Sequence, residues 1–232
     1  MPSPLAYRIC TGSVRALLSP FVSRRSLGRE HIPRNGACIL APNHISHFDP
    51  PLIGSASPRH TDWMAMRELF SIPVVGNLLT WAGAFPVEMG KFDMPAVRAA
   101  IERLKAGRMV GMFPEGGLRT GPNSVLEGAA LRPGVAALAQ MTGASVLPCV
   151  IIGTDALYAP RQYIPLRRTK VWVAFAPPLP PPAGGGDKAA TREKFEALLA
   201  QNLQELYART VREQKIPPEC LPQTPQRRKG RA

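Results

Sequence analysis

Two short segments hold most of the side chains that could do chemistry. The first, Asn43-His44-Ile45-Ser46-His47-Phe48-Asp49-Pro50-Pro51, places two imidazoles and a carboxylate close together. On a continuous helix His44 and Asp49 would face different ways, because five positions do not complete a whole number of turns. They can meet only if 44–49 is a turn, which the double proline favours. Asp49, just before Pro50, also suits a helix N-cap. A histidine that donates one ring N–H to a carboxylate keeps its other nitrogen as a base. Held about 3 Å from a substrate hydroxyl, that nitrogen can take the proton as the oxygen attacks an acyl carbon. The same residues permit a different chemistry: His44, His47 and Asp49, with His60 nearby in sequence, could ligate a metal and serve a hydrolase. A third reading is structural, with both imidazoles satisfying hydrogen bonds of a buried turn. Ser46 and Cys149 are weaker nucleophiles, since Ser46 diverges from the adjoining His47 and Cys149 sits in an apolar run.

The second segment is Phe113-Pro114-Glu115-Gly116-Gly117-Leu118-Arg119-Thr120-Gly121-Pro122. Glycines let a ligand approach the backbone and leave amides free for an anion or oxyanion. An ordinary turn with a solvated Glu and Arg is the alternative.

Both segments follow apolar runs that read as buried strands, over 37–41 and 109–113, and further strands are expected at 146–152 and 171–175. Helices are expected over 5–22, 95–105, 135–141 and 191–212. Strands alternating with helices predict an α/β fold. It is a mostly parallel mixed sheet covered by helices, with an N-terminal amphipathic helix and a C-terminal helix. The exits of such strands are where open α/β sheets build their sites. Two stretches without charge, 69–87 and 133–154, are broken by Pro73, Gly76, Asn77 and Pro86 and by Pro133, Gly143 and Pro148. Each reads as a short buried helix, a turn and a buried strand, not as the ~20 continuous apolar residues of a membrane span. Residues 176–187 read as a Pro/Gly linker. The expected organisation is a membrane-associating helical segment over 1–27, a main domain over 28–214, and a basic disordered tail over 215–232.

The chain of 232 residues is 45% hydrophobic and 19% charged, enough apolar material to bury a core. Cys10, Cys38, Cys149 and Cys220 are far apart, which disfavours a disulfide framework or a thiolate zinc site and suggests a reducing compartment. The net charge of +13 is concentrated at the ends, with +5 in residues 1–34 and +4 in 215–232. Basic ends seek a polyanion. Aromatic residues are only 6%, too few for extensive base stacking, which favours an anionic membrane surface over nucleic acid. Arg8 and Arg15 interrupt any signal-peptide core and suit a helix lying in a lipid interface.

In this order and spacing the motifs resemble the glycerolipid acyltransferase family, whose best-known members are 1-acyl-glycerol-3-phosphate acyltransferases. The resemblance runs from Gly28-Arg29-Glu30-His31-Ile32-Pro33 to about residue 180. His44 and Asp49 match its first block, Phe113-Pro114-Glu115-Gly116 its third, and Val146-Leu147-Pro148 its fourth. The resemblance implies that His44 is the general base for a lysolipid hydroxyl and that Asp49 orients it. It assigns Glu115 and Gly116, with Gly117 and Arg119, to the acceptor, and Pro148 to the neighbourhood of the acyl chain. The implied donor is acyl-CoA or acyl carrier protein, with no metal, no cofactor, no nucleic acid and no covalent acyl-enzyme. The implied location is peripheral or monotopic at the cytoplasmic face of a membrane. Two of the blocks depart from the family pattern. Met89 stands where the second block has an acceptor-phosphate Arg, and Gly117-Leu118 replace Thr-Arg in the third. Lys91 or Arg119 could provide the missing cation, or the acceptor carries no phosphate monoester.

Overall fold

The apolar runs do form the sheet. The computed structural model describes residues 4–88, 90, 93–158, 169–183 and 187–223. Its strands are β1 (Val22–Leu27), β2 (Cys38–Pro42), β3 (Thr61–Met66), β4 (Phe85–Val87), β5 (Met109–Gly111), β6 (Ser145–Ile152) and β7 (Thr169–Phe175). They lie in the order β1-β7-β6-β2-β5-β3-β4, and every pairing is parallel except β6 with β7. The helices are α1 (Pro4–Leu18), α2 (Asp49–Ala56), α3 (Arg67–Phe70), α4 (Pro73–Trp81), α5 (Met94–Lys105), α6 (Val135–Thr142) and α7 (Lys188–Glu213).

The central strands are apolar on both faces because both are covered, as in parallel sheets generally. Along β2, Ile39 and Ala41 join a cluster with Ala100 and Leu104 of α5, Ala136 and Ala139 of α6, and Leu199 and Leu203 of α7. Cys38 and Leu40 join the opposite cluster, with Leu52 and Ile53 of α2. From β2 the chain moves to β3 and β4 on one side, and from β5 it crosses to β6 on the other. The topology therefore reverses around β2, and the exits of β2, β5 and β6 share one edge of the sheet. That reversal opens the crevice where such folds bind ligands.

The expected mixed α/β architecture is present, and four expectations need correction. The helix expected over 5–22 ends at Leu18, and Val22–Leu27 is an edge strand paired residue by residue with β7. Residues 22–27 therefore belong to the sheet and not to a helical segment over 1–27. Val22-Ser23-Arg24-Arg25-Ser26-Leu27 has no run of alternating apolar residues, so its pairing with β7 decides its conformation. Strand β3 has a similar cause: its charged Asp62 is buried against Arg108. The stretch 69–87 does form helix, turn and strand, but α4 is largely exposed, with Val74 80% and Trp81 64% accessible. The tail expected to be disordered from 215 is packed as far as 223: Ile216 is buried, Cys220 and Leu221 pack on the α5–α7 cluster, and the Gln223 amide donates to Asp155 Oδ2. Residues 224–232 lie outside the described residues. Within the expected linker, Leu179 pairs with Val146 at both backbone bonds, so the prolines there begin as an extension of the sheet.

Candidate active site

Asn43 fixes the place where the chain leaves β2. Its amide donates to the Ile151 carbonyl at 3.1 Å and accepts from the Ile151 amide at 2.8 Å, clamping the strand exit to β6. Residues 44–49 then form the turn that the double proline favours. His44 Nδ1–H donates to Asp49 Oδ2 at 2.9 Å. The same oxygen accepts from the Ile45 and Ser46 amides, each at 2.8 Å, and Oδ1 accepts from the Thr154 hydroxyl beyond the end of β6. Asp49 is fully buried, so four donors replace its lost hydration. It is the first residue of α2 and not its N-cap; Phe48 holds that place without a side-chain bond. The carboxylate turns back towards 45 and 46 because Pro50 and Pro51 offer it no N–H ahead.

A carboxylate only accepts, so the imidazole carries its proton on Nδ1 and presents Nε2 as the basic nitrogen. The His44 ring stacks on Phe113, with centroids 3.7 Å apart and planes at 17°, and Trp63 stacks on Phe113 at 5.2 Å. The side chain remains 14% accessible, which leaves an approach for a substrate.

The loop after β5 wraps this histidine. Glu115 Oε2 accepts from the His44 amide at 2.7 Å, and the Arg119 amide donates to the His44 carbonyl at 2.7 Å. Glu115 Oε1 accepts from the Ser124 hydroxyl at 2.9 Å and the Val125 amide at 2.8 Å. Burial pushes the Glu115 carboxyl above its usual range, opposed by these bonds. Both its oxygens accept from protein donors, so Glu115 braces the histidine loop. Gly116 has φ +64, and a Cβ there would lie 2.5 Å from Arg132 Cδ, so the glycine lets the Arg132 stem cross the turn. Arg132 is anchored by its amide to the Pro114 carbonyl at 2.9 Å. Gly117 follows at φ +156 with open space around its α-carbon. Among the described residues, the guanidinium groups of Arg119 and Arg132 make no hydrogen bond or ion pair.

Of the residues expected at the site, His44, Asp49, Glu115, Gly116, Gly117 and Arg119 are brought together. Pro148 is not: it is buried in the middle of β6 opposite Ala41, well before the strand exit. Lys91 and Met89 lie outside the described residues. His47 is at the surface, and loss of water around its ring, then the nearby His44, push its imidazole below the usual range. His60 stacks on Tyr7 at 3.6 Å and lies 3.2 Å from Asp62, so it does not join His44 and His47. Among the described residues no three His, Cys, Asp or Glu side chains are grouped to hold a metal ion. Cys149 is buried in β6, and burial followed by Asp49 pushes its thiol well above its usual range.

The sequence reading missed Thr154, Ser124 and Arg132, and gave Phe113 no role. Thr154 was discoverable, since it follows the third strand bordering the crevice. Ser124 and Arg132 carry no local signal; they reach the site only because the loop after Glu115 folds back.

The acyltransferase family model matches residues 24–152. The 1-acyl-sn-glycerol-3-phosphate acyltransferase of Bacillus subtilis is 28% identical over 148 residues, 63% of this chain and 71% of that protein. The enzyme of the same description from Borreliella burgdorferi is 28% identical over 130 residues, 55% of this chain and 50% of that one. The crystal structure of the 1-acyl-sn-glycerophosphate acyltransferase PlsC from Thermotoga maritima superposes with a TM-score of 0.63 at 25% identity, covering 87% of this chain and 80% of that one. The matched span runs from β1 to the end of β6 and so takes in both halves of the histidine site, and with it the chain belongs to the acyltransferase family.

Proposed function

We propose that the protein moves a fatty acyl group from a thioester, acyl-CoA or acyl carrier protein, to the free hydroxyl of 1-acyl-glycerol-3-phosphate. The observation that carries this reading is the His44–Asp49 pair, with Nδ1 committed at 2.9 Å and the carboxylate locked by three further donors. His44 Nε2 takes the hydroxyl proton while the oxygen adds to the thioester carbonyl. The tetrahedral adduct collapses with cleavage of the C–S bond, and the imidazolium returns the proton to the departing thiolate. The products are an ester and a free thiol. Asp49 stabilises the imidazolium between the two steps. This route uses the chain's own residues and calls for no cofactor.

The acceptor phosphate needs cations, and Met89 stands where the family pattern has Arg. Arg119 and Arg132, one bonded through its amide to His44 and the other crossing Gly116, flank the same loop and take that role. Both the substrate and the product are lipids, and no helix among the described residues is long and apolar enough to cross a membrane. With the location that the family resemblance implies, this reading puts the enzyme peripherally, at the cytoplasmic face of an anionic membrane.

The test is transfer of labelled acyl groups to a panel of lysolipids. Lysophosphatidate should be the preferred acceptor and His44→Ala should abolish transfer without altering the fold by circular dichroism. Arg132→Ala should raise the KM for lysophosphatidate more than it lowers kcat. Substantial activity in His44→Ala would remove it as the base. Preference for a lysolipid without a phosphate monoester would favour the second reading that Met89 supports.

A further inference from the structure

The α3–α4 hairpin follows β3 at the edge of the sheet where the His44 site lies. From Ser71 to Val87 it carries no charged residue. Its inner side is fastened to the core: Phe70 and Leu79 pack on the cluster that also receives Phe48 and Phe113. Gly76 is buried, with the Phe70 carbonyl too close for any side chain. Its outer side is apolar and bare. Val74, Leu78 and Trp81 recur at helical spacing and are 80%, 44% and 64% accessible, flanked by Ile72 and Val75. Scattered exposed apolar residues need no explanation, whereas a continuous stripe marks a binding surface.

We propose that this stripe of α4 inserts into the acyl layer of an anionic bilayer and sets the His44 crevice at the headgroups. The inference rests on the reading that the acceptor is a lipid, which must then arrive at this edge of the sheet. It moves the main lipid contact from α1, where the sequence places it, to a helix that the sequence marks as buried. A bilayer fits this face better than a protein. Protein interfaces have a polar rim with hydrogen bonds, but the hairpin's hydroxyls are already used: Ser71 donates to the Glu68 carbonyl and Thr80 to the Gly76 carbonyl. Acyl chains ask for no such partners. α1 packs beside α4 and likewise exposes Ile9 and Leu17. The sequence of α1 adds Arg8 and Arg15 and no acid, and the net charge of +13 draws the molecule to anionic headgroups.

Trp81 makes the test direct, because Trp63 and Trp172 are buried. Vesicles of phosphatidylglycerol and phosphatidylcholine, titrated into the full chain, should shift its emission to the blue, and brominated acyl chains should quench it. Trp81→Phe should lose both responses. The double variant Val74→Asp, Leu78→Asp should weaken vesicle binding by about a hundredfold or more. It should lower transfer to a bilayer-embedded lysolipid equally, with transfer to a short-chain monomeric lysolipid unchanged. Emission indifferent to vesicles, or a double variant that binds them like the parent, overturns the proposal. So does a dimer, detected by sedimentation, that the same two substitutions dissociate. Vesicle binding through Trp81 without transfer to any short-chain acceptor would instead overturn the functional reading and leave this surface assigned.

Discussion

Asp49→Asn should slow acyl transfer by about a hundredfold and leave the fold nearly intact. In the parent, Oδ2 accepts three N–H groups, from His44, Ile45 and Ser46, while Oδ1 meets only the Thr154 hydroxyl. An asparagine has one accepting atom, and only one orientation avoids setting its NH2 against three donors. Its oxygen must take the Oδ2 place and its NH2 must face Thr154, whose hydroxyl can accept as well as donate. The imidazole therefore keeps its proton on Nδ1, and Nε2 remains the base. What disappears is the negative charge beside the imidazolium. With charge centres about 4 Å apart, the attraction is about 4 kcal/mol at an effective dielectric constant of about 20. The amide hydrogen bond that remains returns about 1–2 kcal/mol. The net loss of about 2–3 kcal/mol corresponds to about 30- to 150-fold in rate. Initial rates of free-thiol release, with a saturating donor, measure it. Melting should fall by only about 2–4 °C, for about 1 kcal/mol lost at Thr154. A loss of about ten-thousandfold with unchanged melting would show that the wrong tautomer had formed and refute the locked orientation. A rate equal to the parent's would refute the imidazolium step.

Glu115→Gln should behave oppositely, because one oxygen accepts from the His44 amide and the other from the Val125 amide and Ser124. Whichever way a glutamine is turned, its NH2 faces a buried N–H, so about 1–3 kcal/mol of stability should be lost, measured by urea unfolding; melting equal to the parent's would contradict the brace. Burial raises the Asp62 carboxyl, but His60 and Arg108 outweigh it and hold it below the usual range. The unfolded chain therefore takes up that proton first on acidification: the stabilisation is complete above about pH 4 and fades as pH falls through the lowered folded value. Asp62→Asn should cost about 3 kcal/mol near neutrality, by removing the buried carboxylate that Arg108, Arg103 and His60 share, and should flatten this part of the acid limb of a stability-against-pH curve; an unchanged limb would show that this cluster is not the source.

The chemistry was readable where it is local. His44 and Asp49 are close in the chain, and Pro50 and Pro51 restrict the backbone between histidine and helix, so the turn and its hydrogen bond follow from covalent constraints. Strands β2, β5, β6 and β7 were legible for a similar reason, since runs buried on both faces must be apolar throughout. The second histidine, by contrast, was a candidate ligand by spacing alone, and among the described residues no three His, Cys, Asp or Glu side chains gather to hold a metal ion.

What the sequence by itself determined is the His44–Asp49 pair, the sheet's central strands and the helices of strong period, because each depends on neighbours a few positions away. Only the tertiary structure decided that Thr154 locks the second oxygen of Asp49, that Glu115 braces His44, and that Val22–Leu27 is a strand. It alone also set the apolar face of α4 outside. These outcomes depend on partners far along the chain: a hydrogen bond across 71 or 105 residues, or the side of a helix left uncovered, is settled by packing and leaves no mark on local composition.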